Sequence, residues 1–422
     1  MTFGEKISTA FKDRSLRRRI LFVAGALIVF RLLATIPVPG VDSARLASFL
    51  AGNQFFGILN IFSGGGLSNL SIIMLGVGPY ITGSIIMQVL TILSPKLKAL
   101  QSEEGDYGRK KFAQYSRVLA VPLAALQGFT LLTLLGRQGV LGVLTPLETA
   151  TNIVVLVAGA MLLMWIGELI SEYGIGNGVS ILIFAGIVAG LPQEIGQTLY
   201  SYDSGQIPLY ILFLAVGLIV IAGVVLVSEA ERPIPVTYAR QVRGLSTGGS
   251  TASYLPIRMN QAGVIPIIFA LSILLFPQII ANLFANSSHA WLASTASAMN
   301  YFLNNQLLYG AVYFVLVFLF TYFYTAVTFD PNTVATNLQK NGAFVPGIRP
   351  GEPTASYLST VTGRITVFGG LFLGVIAILP LIMKKATGIT ALALGGTALL
   401  IVVSVVMDLI KKLDAQVSLR EY

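Results

Sequence analysis

The sequence predicts an all-α polytopic membrane protein with ten transmembrane helices in two pseudo-symmetric five-helix halves. Three observations lead to this fold class. The chain is 55% hydrophobic and 11% charged, with a mean hydropathy of +0.80, whereas a soluble domain carries roughly 25% charged residues. The apolar residues are gathered into ten segments, and Lys and Arg fall almost entirely in alternate gaps between them.

Each apolar segment is long enough to form a membrane helix. A hydrocarbon core about 30 Å thick is crossed by about 20 helical residues. The ten segments lie near 20–38, 74–93, 115–135, 151–171, 178–196, 208–228, 260–281, 307–328, 363–383 and 388–411. We expect one transmembrane helix in each, in this order.

The distribution of positive charge predicts the topology. Of the 27 Lys and Arg residues, 22 lie towards the two termini or in every second gap, and the other five are Arg31, Arg45, Arg137, Lys384 and Lys385. Basic residues resist translocation and stay on the cytoplasmic side. We therefore expect a multi-pass protein of the cell inner membrane with both termini in the cytosol. The net charge of +9 fits attraction to anionic lipid or docking of a cytosolic partner.

Two of the basic gaps, 231–259 and 329–362, are unusually long. Long loops in compact proteins are commonly functional or disordered. Because both contain aromatic and β-branched residues as well as Pro, Gly and spaced basic residues, we interpret them as protruding docking surfaces. A solvated linker is the alternative.

A short internal sequence similarity suggests where the two halves divide. Gly76 to Ile81 reads GVGPYI in the second segment, and Gly263 to Ile268 reads GVIPII in the seventh. The topology makes these two helices run in opposite directions, as in inverted repeats, whose working site lies at the repeat interface. We predict an N-terminal half, 1–200, and a C-terminal half, 201–422, although four matches in an apolar sequence could also arise by chance.

Six branched apolar residues are candidates for the lining of a central passage. The fifth segment is short and begins among glycines, and two of its residues are four apart and so share a helix face. The second segment has the same spacing, and the seventh and tenth offer similar side chains. From the spacing alone, ordinary helix–helix or lipid packing is the favoured explanation of the pattern. The candidates are Val77, Ile81, Val179, Ile183, Ile268 and Ile401.

The stretch before the second segment, residues 55–72, contains three consecutive glycines at 64–66. Glycine costs a helix about 1 kcal/mol per site relative to alanine, so a continuous helix is disfavoured here. Irregular backbone at membrane depth is tolerated only where protein covers it or a cavity adjoins it. A short re-entrant segment and an ordinary external loop both fit.

Chemistry-bearing residues are scarce. The chain has no Cys and one His, His289, in a polar stretch, and it lacks a Gly-x-x-x-x-Gly-Lys-Ser/Thr loop. We therefore expect neither an enzyme nor a bound metal or cofactor. Arg31 lies inside the first segment, but its side chain could reach an interface. An inverted-repeat secondary transporter of small solutes is the alternative function, although ion coupling would call for an acidic residue at mid-depth.

Several motifs together resemble those of the SecY family, the pore subunits of bacterial protein-export channels. The resemblance runs nearly end to end and in order. The motifs are IPVPGVD, FSGGGLSNLSI, LGVGPYITGSIIMQVL, GIGNGVSILIFAGIVAGLP, AGVIPIIFA, FDPNTVATNLQKNGAFVPGIRPGE and LGGTALLIVVSVVMD.

The resemblance implies a clamp of two five-helix halves around a central pore. The six candidates above then form the pore ring. A plug helix is implied at Phe62, Ser63, Gly64, Gly65, Gly66, Leu67, Ser68, Asn69 and Leu70. A lateral gate opens towards lipid between helices 2 and 3 and helices 7 and 8, with Gln88 and Gln127 as polar candidates along it.

The resemblance also implies partners. The two long basic gaps become docking loops for the ribosome and for the motor ATPase SecA, with Arg240 and Arg243 in the first loop and Arg349 in the second. The small membrane subunits SecE and SecG, signal sequences and unfolded polypeptides complete the set. A family member of this kind passes unfolded secretory chains across the bilayer and releases membrane segments into lipid.

Overall fold

The computed structural model describes residues 13–39, 63–67, 69–102, 105–137, 139–142, 145–200, 207–238, 253–284, 289–387 and 395–418. These ranges contain thirteen helices and three short strands. The first seven helices are α1 Arg14–Ala34, α2 Gly78–Leu93, α3 Pro95–Ser102, α4 Gly105–Arg137, α5 Pro146–Tyr173, α6 Gly178–Tyr200 and α7 Ile207–Glu229. The remaining elements are β1 Glu231–Tyr238, β2 Ser253–Arg258, α8 Ile265–Phe284, α9 Ala290–Asn304, α10 Gln306–Thr328, α11 Pro331–Lys340, β3 Ala343–Phe344, α12 Glu352–Thr387 and α13 Gly395–Ser418.

Ten of these helices in the described ranges have 16 residues or more, and each overlaps one of the ten predicted spans. Their ends differ where capping groups outweigh hydropathy. Helix α1 begins at Arg14 because the Asp13 carboxylate accepts hydrogen bonds from two backbone N–H groups of its first turn, at Ser15 and Leu16. Helix α5 begins at Pro146 behind a capping box made by Thr145 and Glu148.

The length and apolar composition of several helices fit membrane-spanning segments. By length and composition, five helical stretches among the described residues are long and apolar enough to cross a bilayer, and two further apolar helical runs, Gly178–Pro192 and Ile265–Leu274, are shorter. The five stretches are Tyr107–Gly136, Pro146–Tyr173, Ile207–Glu229, Gln306–Lys340 and Glu352–Met383.

The chain divides into two compact units. The first contains residues 1–208, 275–302 and 401–422, and the second contains 209–274 and 303–400. In the first unit, α2 packs on α3, α4 and α5, and α6 packs on α5 and α1. Its core is an apolar cluster in which Leu67, Leu70 and Met74 meet α4 and α5. The residues of these helices in the cluster include Leu132 and Leu156.

The second unit pairs α10 closely with α12. Two glycines of α12, Gly370 and Gly374, allow this approach, since a Cβ at either position would lie 3.0 Å or less from the ring of Phe318 or Phe314. Small residues of this kind let membrane helices come together where lipid removes the hydrophobic driving force.

A small sheet belongs to the same unit and was not expected from the sequence. Strand β1 pairs antiparallel with β2 along Glu231–Val236 and with β3 at Thr237 and Tyr238. Beneath it, Ile234, Ile257, Val345 and Leu358 form a buried cluster with neighbours from α11 and α12. We call β1, β2, β3, α11 and the first two turns of α12 the sheet module.

Candidate functional site

The first pair of candidate ring residues lies where α2 begins. Gly76 adopts a positive φ of 59° and Pro79 occupies the first turn, so the backbone turns sharply into the helix at this point. The N–H of Ile81 donates to the carbonyl of Val77 at 3.0 Å, which fixes the two residues one turn apart on one face. Both side chains are buried.

The second pair lies at the start of α6, in a tight corner against α5. The N–H of Gly178 donates to the Ser171 hydroxyl at 2.8 Å, and a Cβ at Gly178 would lie 1.8 Å from the carbonyl oxygen of Gly167. This contact brings the two helix backbones together. Ile183 is buried, whereas Val179 is partly buried, with its Cγ2 atom 3.3 Å from the position of a Cβ on Gly167.

The last two ring candidates lie further along the chain. Ile268 is buried in α8 and belongs to the second unit, whereas Ile401 is buried in α13 and belongs to the first. Thus five of the six candidates belong to one unit, and the helices that carry two pairs of them, α2 and α6, both pack on α5.

The glycine-rich segment is folded back into the first unit. Residues Ser63–Leu67, which we call the glycine turn, form turns rather than the helix that the resemblance implied. Gly64 and Gly65 have positive φ angles of 65° and 83°, a conformation that excludes a regular helix. Ser63 and Leu67 are both fully buried, and the N–H of Leu67 donates to the Ser63 hydroxyl at 3.0 Å. Phe62 and Ser68 lie outside the described residues.

The glycine turn is packed between α1 and α6. A Cβ at Gly64 would lie 2.1 Å from the Phe30 ring of α1, and a Cβ at Gly186 of α6 would lie 2.2 Å from the Gly64 Cα. Gly186 follows Ile183 by three residues and Val179 by seven, so these three positions share one face of α6. The turn therefore lies against the face that bears the second pair of ring candidates.

Residues just after the turn are tied to the end of α1 by backbone pairing. The N–H of Val38 donates to the Leu70 carbonyl at 2.8 Å, and the N–H of Ile72 donates to the Ile36 carbonyl at 3.0 Å. The Asn69 side chain adds a longer contact, 3.4 Å, to the carbonyl of Ala34. The implied plug residues Asn69 and Leu70 are thus held at the end of the first helix.

Two polar contacts were not predicted from the sequence. Arg31 Nη1 donates to the Gly64 carbonyl oxygen at 3.0 Å, and Arg117 of α4 pairs with Glu168 of α5, Nε to Oε1, at 2.5 Å. The sequence did contain one indication of them. Arg31 and Glu168 lie within apolar segments, where an ionisable side chain usually pairs with an opposite charge or a backbone carbonyl.

The two gate candidates lie on helices that pack against each other. Gln88 belongs to α2 and Gln127 to α4, and neither is fully buried. Among the described residues, the Oε1 atom of Gln88 is buried and accepts no hydrogen bond, so this amide retains unused hydrogen-bonding capacity. Such a group can bond to a chain that passes it.

Of the three docking arginines, one lies among the described residues. Arg240 and Arg243 fall outside them, whereas Arg349 is exposed beside the sheet module. Its carbonyl accepts a hydrogen bond from the Thr354 hydroxyl at 2.8 Å, and positive φ angles at Gly347 and Gly351 shape the loop around it. The side chain is therefore presented to solvent from a fixed backbone.

Comparisons with known proteins agree with this geometry. A profile of the SecY family matches residues 71–410. The protein translocase subunit SecY of Thermus thermophilus is 43% identical over 98% of this chain and 95% of its own length.

Two solved structures share the fold. One is a protein-conducting channel with a TM-score of 0.64 and 18% identity, covering 96% of this chain and 93% of its own. The other is Sec61 in a canine ribosome–channel complex from the endoplasmic reticulum. It has a TM-score of 0.63 and 19% identity, covering 96% of this chain and 93% of its own. These likenesses confirm the predicted helical membrane fold, and the matches in sequence confirm the resemblance drawn from the motifs. The chain therefore belongs to the SecY family of protein translocase subunits, which are multi-pass membrane channels.

Proposed function

We propose that this protein is a gated channel that passes unfolded secretory polypeptides across the cytoplasmic membrane and releases membrane segments sideways into lipid. Val77, Ile81, Val179, Ile183, Ile268 and Ile401 form its ring, and the segment 62–70 forms its plug. The two predicted halves, 1–200 and 201–422, move apart to open it. Both termini face the cytosol.

One observation carries this proposal. A buried glycine turn lies against the face of α6 that bears Val179 and Ile183. A plug must rest beside the constriction that it seals, and the contact of this turn with the helix face that bears two ring candidates supports that role. The pairing of Leu70 and Ile72 with the end of α1 anchors one end of the turn.

The chemistry of the ring suits a passage for unfolded chains. Aliphatic side chains offer no donors or acceptors to replace the hydration shell of an ion, so a narrow ring of them blocks ions. The same side chains make no hydrogen bonds to a passing polypeptide and therefore do not select its sequence. The membership of the chain in the SecY family favours this channel over the secondary transporter considered from the sequence.

Energy and targeting come from partners. The relative in the canine complex is bound to a ribosome, and we propose that a translating ribosome and the motor ATPase SecA dock here on the sheet module, at Arg349 and on the loop with Arg240 and Arg243. Arginine forms planar, bidentate hydrogen bonds with both carboxylates and phosphates, so the same surface suits protein and RNA partners. SecE and SecG are the proposed small membrane subunits.

Crosslinking tests the path directly. The chain has no Cys, so a single photoreactive probe can be attached at Ile81→Cys or Ile268→Cys and at the control Val154→Cys, whose parent side chain is 67% exposed on α5. We expect a stalled secretory chain to crosslink at the two ring positions and not at the control. Equal crosslinking at all three, or none at the ring, would exclude the proposed path.

The ring also has a genetic test in Ile183→Asn. An amide placed among aliphatic side chains costs about 1–3 kcal/mol, and a destabilised resting ring should raise the open fraction roughly 5- to 150-fold. We expect export of substrates with defective signal sequences. Ile183→Leu, and Val188→Asn at an exposed position of the same helix, should export only substrates with intact signals.

A further inference from the structure

Arg31 has a specific partner in the fold. It lies in the last turn of α1, and its guanidinium crosses to the glycine turn, where Nη1 donates to the carbonyl oxygen of Gly64 at 3.0 Å. The two residues are 33 positions apart in sequence. A hydrogen bond from a charged donor is stronger than one between neutral groups, so this contact ties the turn to α1.

The backbone of the glycine turn is shaped to make this contact. With φ angles of 65° and 83° at Gly64 and Gly65, the chain adopts a conformation that L-residues rarely tolerate. The ring of Phe30, the neighbour of Arg31 in sequence, fills the space beside Gly64. One residue of α1 thus packs on the turn and the next bonds to its carbonyl.

A simpler role for Arg31 is to stabilise the end of α1. A positive charge at the carboxyl end of a helix is stabilised by the helix dipole, and a long basic side chain near a membrane helix end can reach the interface. Both effects stabilise α1 itself, and neither depends on the glycine turn. The two roles therefore differ in what is lost when Arg31 is replaced.

We propose that Arg31 is a positioning residue that latches the plug in the resting channel. The inference rests on the proposed function, in which the glycine turn is part of the plug. Displacing the turn breaks the bond between Arg31 and Gly64 and leaves a guanidinium without this partner. Opening is therefore opposed by a contact that an entering polypeptide must replace, and loss of the contact shifts the population towards the open state.

The lack of Cys in the sequence allows a direct reporter of plug position. Ser63 is fully buried in the glycine turn, so the thiol of Ser63→Cys should react slowly with a membrane-impermeant maleimide while the plug is seated. The reporter is built into the parent chain, into Arg31→Met, and into the control Arg19→Met, which removes an exposed arginine from the same helix. Each protein is reconstituted in liposomes, and labelling at rest is measured together with halide efflux.

We expect Arg31→Met to raise the labelling rate of the reporter thiol about tenfold to hundredfold, the range expected for one charged hydrogen bond. Resting halide efflux should rise with it, and Arg19→Met should match the parent. Arg31→Lys keeps the charge at the helix end but offers only a strongly hydrated point donor, so it should give a smaller rise in both measurements.

The outcomes separate this inference from the proposed function. A stalled secretory chain should raise labelling of the reporter thiol in the parent. If it does and Arg31→Met labels like the parent, the latch is wrong while the plug assignment stands. If a stalled chain leaves labelling unchanged, the plug assignment itself fails. If Arg31→Met does not fold and Arg31→Lys matches the parent, the arginine serves the helix end and the latch is again excluded.

Discussion

The glycine turn and the sheet module are held in place by opposite means. Around the glycine turn, the closest packing depends on missing side chains: a Cβ at Gly186 would lie 2.2 Å from the Gly64 Cα, and a Cβ at Gly64 would lie 2.1 Å from the Phe30 ring. In the sheet module, contact is made by side chains, with Ile234, Ile257 and Leu358 buried together. Adding side-chain atoms should therefore lower the stability of the first region, and removing them should lower the stability of the second.

The difference follows from the surroundings of each region. Lipid is as apolar as leucine, so membrane helices gain little from burying large side chains and pack closely through small ones. The sheet module is built on polar, charged segments outside the apolar spans, where the removal of apolar surface from water stabilises a cluster. Gly178→Ala in the membrane helices and Leu358→Ala in the sheet module test this contrast, and the first is expected to have the larger effect.

The largest effect is expected from one methyl group at the corner between α5 and α6. A Cβ at Gly178 would lie 1.8 Å from the Gly167 carbonyl oxygen, and neither backbone can move without separating the helices. We expect Gly178→Ala to destabilise the protein by at least about 3 kcal/mol, measured as thermal loss of the monodisperse species in detergent.

A control exists on the same helix. A Cβ at Gly190 would meet nothing within 4 Å, so Gly190→Ala should be neutral or stabilising by up to about 1 kcal/mol through helix propensity. Equal melting of the two variants would mean that backbone contact does not govern this corner.

The second effect should come from removing atoms. Leu358 has no exposed surface and contacts the strands of the sheet module. Leu358→Ala should destabilise that module by about 2–5 kcal/mol while the membrane helices remain folded. Limited proteolysis should then cut within β1, β2 or α11 much faster than in the parent. The control Tyr254→Ala removes a side chain that is 61% exposed, and identical digestion of both variants would contradict the role of the cluster.

Much of the membrane fold was predictable from local pattern. Span length and charge asymmetry identified ten helices, because a bilayer imposes the same length and the same charge rule on every segment. Helix ends were less accurate: α1 stops at Ala34, before the predicted end at 38, since the chain leaves the helix to pair with the strand-like segment at Ser71.

The prolines of β1 explain why the sheet was not predicted from the sequence. Pro233 and Pro235 lower the strand propensity of β1, and proline is tolerated mainly where a strand edge is unpaired. Among the described residues this condition is met, because β3 pairs with β1 at Thr237 and Tyr238 and no strand pairs with the same edge beside the two prolines. Single-sequence reasoning recognises an edge only after the pairing is known.

The candidate site was predictable as residue types but not as contacts. The spacing of Val77 with Ile81 and of Val179 with Ile183 follows from helix periodicity. The plug helix implied by the resemblance was wrong for Ser63–Leu67, because two positive φ angles break it. The bond between Arg31 and Gly64 joins residues 33 positions apart, and no local pattern contains such a distance.

Arg349→Glu should have the smallest effect on stability, while it weakens the binding of a partner. Its side chain is exposed and its backbone is fixed by Thr354, so Arg349→Glu should leave the melting temperature unchanged. Reversal of one exposed charge at a docking surface is worth roughly 1 kcal/mol, so we expect motor or ribosome binding to weaken about five- to tenfold. Co-sedimentation with ribosomes and stimulated ATP hydrolysis would measure this. Lys96→Glu makes the same charge change at an exposed position of α3, outside the sheet module. Equal weakening by both would indicate bulk electrostatics rather than a specific arginine contact, and no weakening by Arg349→Glu would remove this residue from the docking surface.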